Sequence, residues 1–394
     1  VRARRRSGVL SRSPAFGALF IARSVSLLGD GIGTLALVVH VQRVRGTGAA
    51  VGLLLLVASL PRLLSPLAGA VADRADRRSI LVGCELAQAV VLGVVVVWLP
   101  PLPVLLALLL VKSATATVAD PAGQSAVAAL VSVDDLPAAN ALMGGAREAG
   151  ETLGPLLGGI LVALAGVRAG LAVDALTFVA TAPLLFRVPR LPTAPTATAT
   201  SVRSDALAGV RYTLDHPVAR ALAVAFFLVG LAAADDVALP FLARSLGAGA
   251  RGIGALYAAV GGGLIVGYLL AGRWSGRRRP AAALLVGGVV AAAGNALTGA
   301  APVLLAAIVF QVTRGVGIAV FETALQTLLQ RTVPGPYLGR VFANVYGAVH
   351  VAACLALAGG GALVDVTSPR TVLVLSGCAG GVAILAAARM LPRL

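Results

Sequence analysis

Seven carboxylates stand out because apolar sequence surrounds them: Asp30, Asp120, Glu148, Glu151, Asp235, Asp236 and Glu322. Five cations share that setting, namely Arg23, Arg62, Lys112, Arg147 and Arg314. A charge at the centre of a bilayer costs about 2.5–3.5 kcal/mol on insertion scales, so such groups should face partners or a wet cavity. Spacing suggests partners. Arg147 and Glu151 are four apart and can pair on one helix face. Arg23 and Asp30 lie two turns apart, and Arg314 and Glu322 are eight apart, so each pair can share a face. These three arginines are candidate cavity charges. A buried carboxylate can take a proton from one side of a membrane and release it on the other, because burial favours the neutral form and a nearby cation the charged one.

Other chemistries find no support. There is no G-x-x-x-x-G-K-[ST] loop for nucleotide binding, and GDGIGTLA at 29–36 sits in an apolar stretch without βαβ context. No G-x-S-x-G elbow or zinc-hydrolase pattern occurs, so an enzyme is not expected. Cys84, Cys354 and Cys378 are isolated, which fits small core residues better than a metal site or redox pair. No metal or cofactor is expected.

The elements that must position these charges are membrane helices. The chain of 394 residues is 58% hydrophobic and 12% charged, with mean hydropathy +0.94. Apolar runs long enough to span the hydrocarbon core recur throughout, whereas the alternating strands of a β-barrel do not. Twelve spans are expected, at about 15–40, 49–72, 79–99, 103–132, 138–165, 169–187, 218–243, 252–272, 280–300, 303–330, 338–364 and 371–390. With both termini inside, 21 basic residues fall on the cytoplasmic side and six outside, a bias that sets the topology and accounts for the net charge of +16 without nucleic acid. A basic N-terminus (1–14), a six-helix bundle (15–187), a cytoplasmic linker containing LPTAPTATAT (188–217) and a second bundle (218–394) follow. The halves repeat: LPAANALMGGAREAGETLGPLLGG from Leu136 and LGRVFANVYGAVHVAACLALAGGG from Leu338 both end on a glycine pair, Gly158/Gly159 and Gly360/Gly361. Paired parallel halves with a site between them near the midplane is a transporter architecture.

One segment conflicts with helix propensity. GETLGPLLGGIL, 150–161, places glycines and a proline where glycine costs about 1 kcal/mol and proline about 3. Gly150, Gly154 and Gly158 recur every four residues, so they form one face that admits a close neighbour. Gly263 and Gly267 of the eighth span have the same spacing and are the expected partner. Pro155 cannot donate to the Glu151 carbonyl, so a bend is expected there.

Two motifs carry a resemblance. GAVADRADRR, 69–78, resembles the G-x-L-A-D-R-x-G-R-R/K motif of the major facilitator superfamily, matching at Gly69, Ala72, Asp73, Arg74, Arg77 and Arg78, with Asp76 where glycine is usual. GETLGPLLGG is similar to that family's fifth-helix antiporter motif at Gly150, Gly154, Pro155, Gly158 and Gly159. SVSLLGD (24–30) and PAANAL (137–142) look like the macrolide-efflux and siderophore-exporter branch. The resemblance implies an all-α fold of two pseudo-symmetric six-helix bundles with cytoplasmic termini. It also implies a cytoplasmic latch in which Asp73 meets the start of the eleventh span, while Arg77 and Arg78 pair with carboxylates such as Asp134 or Asp135. Asp30, in a helix that lines the cavity in this family, becomes the first candidate for proton coupling, followed by Glu322 and Glu151.

The expected activity is secondary active export of a small amphipathic antibiotic, drug or siderophore across a bacterial inner membrane, driven by the proton gradient. Its partners would be the bilayer, protons and the substrate, and it would work as a monomer. An importer or lipid transporter on the same fold, or a non-transporting membrane sensor, are the alternatives. The seven acids against five bases noted within the spans, and 4% aromatic residues, indicate neither a cationic nor an anionic substrate.

Overall fold

The computed structural model describes residues 9–72, 75–191, 210–274 and 280–390. After a helical turn, Val9–Arg12, the chain runs as α1 (Pro14–Arg45), α2 (Gly48–Ser59), a 3₁₀ segment (Leu60–Leu64) and α3 (Ser65–Ala72). Next come α4 (Arg77–Trp98), α5 (Leu102–Leu130), α6 (Leu136–Ala165), α7 (Val167–Leu185), α8 (Pro217–Gly230) and α9 (Ala234–Ser245). The last five are α10 (Gly249–Trp274), α11 (Pro280–Ala300), α12 (Leu304–Thr332), α13 (Gly335–Val366) and α14 (Pro369–Met390).

Among the described residues, eleven helices, counting α8 and α9 as one through the 3₁₀ turn at Leu231–Ala233, are long and apolar enough to cross a membrane. The segment read as a continuous second span is instead broken at Leu60–Leu64. Its sequence SLPRLLSP explains the break: Pro61 and Pro66 remove two helix donors, and the backbone tightens to 3₁₀ between them. Chain reversals use left-handed residues that close the preceding helix. Gly46 (φ 69°) and Gly166 (φ 86°) donate to the carbonyls of Gln42 and Val162. Leu99 (φ 46°) does the same to Val95, just before Pro100 and Pro101.

The chain divides into two compact units, one from Val1–Leu37 with Leu60–Thr196, the other from Val38–Ser59 with Ala197–Leu394. In the first, Phe16, Leu19, Leu81, Ala122 and Leu185 form a fully covered core. In the second, Leu222, Phe226, Leu284, Phe321 and Leu325 do so. Large apolar side chains also face outward along the helices, among them Val97 at 80% exposure, Leu164 at 70% and Leu305 at 70%. A protein in water would bury them; in a bilayer, lipid covers them.

Within the second unit α2 packs on α13. Gly48 and Gly52 lie so close to Gly361 and Leu357 that an added Cβ would sit 2.5 and 2.6 Å from their carbonyl oxygens. Asp365 accepts hydrogen bonds from the amides of Gly48 (2.5 Å) and Ala49 (2.9 Å), so its carboxylate caps the N-terminus of α2. The repeated glycine pair thus has a packing role in this half: Gly361 meets Gly48, and Gly360 meets Ala234.

Candidate functional site

The charges expected to pair along single helices pair across helices instead. On α1, Arg23, Ser26 and Asp30 follow one face. Arg23 binds Asp120 of α5, and the second oxygen of that carboxylate takes Arg147 of α6 at 3.4 Å. Asp30 binds the ammonium of Lys112, which also lies 3.5 Å from Asp174 of α7 and 5.5 Å from the ring centroid of Phe178. Ser26 and Thr181 donate to Glu85 of α4, at 2.9 and 2.6 Å. Arg23 and Asp30 thus share a face, as their spacing implies, but each turns to another helix, and the expected Arg147–Glu151 pair does not form. Helical periodicity identifies which residues share a face, whereas the opposing helix supplies the partner. Glu151 lies on the exposed side of α6.

Glu85 and Asp174 stood outside the seven carboxylates singled out from sequence, although both interrupt apolar runs, in LVGCELAQA and GLAVDALTF. They are more deeply buried than Asp30. Asp174 has no solvent exposure and Glu85 2%, while the Asp30 side chain is about one-third exposed (33%). Two glycines of α1 make room for Asp174: a Cβ at Gly33 would fall 2.0 Å from its Oδ2, and one at Gly29 would meet Thr177 and Asp174. The sequence GDGIG is therefore a carboxylate cradle, with Asp30 on the same turn.

Its middle glycine, Gly31, faces the other way, onto α6. A Cβ at Gly154 would sit 2.7 Å from the Gly31 Cα, one at Gly150 would strike Leu27, and one at Gly158 would strike Ile32. The partner of this glycine face is α1, which corrects the expected pairing with Gly263 and Gly267. Those two pack on α12 against Val312, Gly315 and Val316. Equal spacing marked both faces as close-packing but could not match them. Pro155 lies within the continuous α6, beside Gly31, and Gly159 is buried.

In the second unit Arg314 of α12 forms a 2.6 Å ion pair with Asp235, which is fully buried, and donates to Gln311. Glu322, eight residues on in the same helix, accepts a hydrogen bond from Tyr268 of α10 (2.7 Å). The Tyr257 hydroxyl donates to the Asp236 carbonyl at 2.6 Å.

Of the latch motif, Gly69 lies in α3, while Asp73 and Arg74 fall outside the described residues. Arg77 opens α4. Arg78 does not pair with Asp134 or Asp135: its guanidinium lies over the Phe186 ring at 5.0 Å, and Asp135 binds Arg12 at 2.6 Å. Asp76 caps α4, accepting from the amide and hydroxyl of Ser79 at 3.1 and 2.7 Å, and its other oxygen accepts from the Leu191 amide at 2.8 Å. The residue that replaces the motif's glycine therefore fastens the start of α4 to the chain after α7. Partial burial pushes its carboxyl up, but the hydrogen bonds from Ser79, Leu191 and Arg78 outweigh this and hold it below the usual carboxylate value.

Long apolar helices around buried ion pairs, with glycine faces that set their approach, define a polytopic membrane transporter. Solved transporters share the fold. A bacterial homologue of the iron transporter ferroportin, in an inward-facing state, aligns with a TM-score of 0.75 at 16% identity, covering 96% of this chain and 98% of that one. The nucleoside transporter NupG gives 0.75 at 15% identity, covering 95% and 98%. Residues 10–394 match the family described as transmembrane secretion effectors, a branch of the major facilitator superfamily, and the chain belongs to it. It is 32% identical over 340 residues to the enterobactin exporter EntS of Salmonella typhimurium (strain LT2), covering 84% of this chain and 81% of that protein. The enterobactin exporter EntS of Shigella boydii serotype 18 is 30% identical over the same span.

Proposed function

We propose that this protein exports a small amphipathic compound of the siderophore class by proton-coupled alternating access. The observation that carries the reading is the charge balance around Lys112. One ammonium faces two carboxylates, Asp30 and Asp174, and Asp174 is sealed from solvent. In a low-dielectric interior the trio carries excess negative charge until a proton joins it, and Asp30 is open enough to exchange that proton. Asp30 is thus the coupling carboxylate, with Asp174 sharing its cation; Glu322 and Glu151 are secondary candidates. The similarity to enterobactin exporters over most of the chain supports a siderophore as cargo and outward movement as its direction.

In this reading α2 and α3 together make the twelfth crossing, both termini and the 188–217 linker are cytoplasmic, and the protein works as a monomer in a bacterial inner membrane. The motif at Gly69–Arg78 then lies on the cytoplasmic face. The Asp365 cap on α2 then lies on the outer face. The test is accumulation of enterobactin and a panel of antibiotics in efflux-deficient bacteria expressing the protein, with and without a proton uncoupler. Lower accumulation that the uncoupler restores is expected. Accumulation unchanged for every compound, with the protein confirmed in the membrane, would refute export.

A further inference from the structure

A cavity of about 510 Å³ opens inside the first unit, between α1, α5 and α6. Its charged wall is the Arg23–Asp120–Arg147 group. Two guanidiniums share one carboxylate, so the group carries a net positive charge. Arg23 is nine-tenths buried and serves to hold Asp120, whereas the Arg147 side chain is 42% exposed and 3.4 Å from its carboxylate, at the limit of a hydrogen bond. The amides of Gln124 and Asn140 and the thioether of Met143 complete the lining. Gly144 lies at the same wall with open space where a side chain would be.

Arg147 therefore has donors left over beyond the one that Asp120 uses, in a cavity that also offers amide donors and an apolar side. A guanidinium with free donors recognises planar oxyanions through charge-assisted pairs. Asp120 offsets one of the two guanidinium charges, so discrimination of anion from cation rests on the single positive charge that remains. We propose that this cavity is a binding subsite for an anionic oxygen group, a carboxylate or phenolate carried on an apolar frame, with Arg147 as its principal contact. The subsite rests on the transport reading for its purpose, as the place where cargo first binds from the cytoplasm. Its chemistry does not depend on that reading.

The test uses two dyes with the same xanthene frame and opposite charge, fluorescein (anionic) and rhodamine 6G (cationic), titrated by fluorescence anisotropy against the purified full chain in nanodiscs. Fluorescein should bind saturably and more tightly than rhodamine 6G. Arg147→Gln should weaken fluorescein by about tenfold, the loss of one charge-assisted contact, and Arg147→Lys should recover part of it. Gly144→Leu keeps every charge, favours helix and fills the cavity, so it should abolish fluorescein binding in a protein that still elutes as a single peak. Absence of saturable fluorescein binding, or equal affinity in the wild type and Arg147→Gln, would overturn the subsite. Arg147-dependent binding without transport would leave the subsite standing and defeat the export reading. Gradient-driven export without fluorescein binding would do the reverse.

Discussion

Lys112 is the residue on which the first unit's charge balance turns. Its stem is buried, and its ammonium meets Asp30 and Asp174. Removing it leaves a sealed carboxylate with no cation, a loss of about 3–5 kcal/mol for a broken buried pair. Lys112→Met should therefore lower the melting temperature of the purified protein markedly. Lys112→Met combined with Asp174→Leu should recover much of the loss, because the sealed charge is gone and only the one-third-exposed Asp30 is left without its cation. A double variant no more stable than the single one would contradict this assignment. Asp76 gives a pH-dependent counterpart. Its carboxyl is held below its usual value, so its contribution is complete above the unfolded value near 4 and disappears as pH falls through the lower folded value. Asp76→Ala should cost about 0.5–2 kcal/mol as a lost cap. The gap in melting temperature between wild type and variant should hold from pH 7 to 5 and close in stronger acid. At this scale the sequence showed that Asp30, Asp120 and Arg314 needed partners, because charge in an apolar run is costly wherever it falls. It did not show which partners, since Arg23 and Asp30 share a helix face yet each turns to a different neighbour.

At the scale of elements, the approach of α1 to α6 is set by glycines on both sides. The Gly154 Cα faces the Gly31 Cα with no space for a methyl group, while Gly145, about two and a half turns earlier in the same helix, has nothing within 4 Å. Gly154→Ala should destabilise by about 1–3 kcal/mol through overpacking. Gly145→Ala should be neutral or stabilise by up to about 1 kcal/mol through helix propensity. Thermal unfolding of both variants checks the contrast, and equal effects would mean that the close contact is absent. The close-packing role of Gly150, Gly154 and Gly158 was legible, because a four-residue spacing forces one face. Their partner was not, because the eighth span has the same spacing and long-range pairing leaves no local signal. The broken second span is a case where local chemistry was available and outweighed by hydropathy: Pro61, Arg62 and Pro66 interrupt a run whose average remains apolar.

At the scale of the whole molecule, hydropathy and the distribution of basic residues indicate a polytopic helical protein, because the bilayer imposes one length and one secondary structure on every crossing. That constraint made nearly every helix visible, and the motifs at Gly69–Arg78 and Gly150–Gly159 pointed to the superfamily to which the chain belongs. The division into units was less visible. Val38–Ser59 groups with the second unit through its contacts on α13, which hydropathy does not register. Export driven by protons is the claim on which the account stands. Its most direct measurement is enterobactin uptake into everted vesicles under an imposed pH gradient, acid inside, comparing wild type with Asp30→Asn. Gradient-dependent uptake by the wild type, with Asp30→Asn expressed equally but unresponsive to the gradient, is the predicted result. Gradient-driven uptake at the wild-type rate by Asp30→Asn would contradict the coupling role assigned to the Asp30–Lys112–Asp174 cluster.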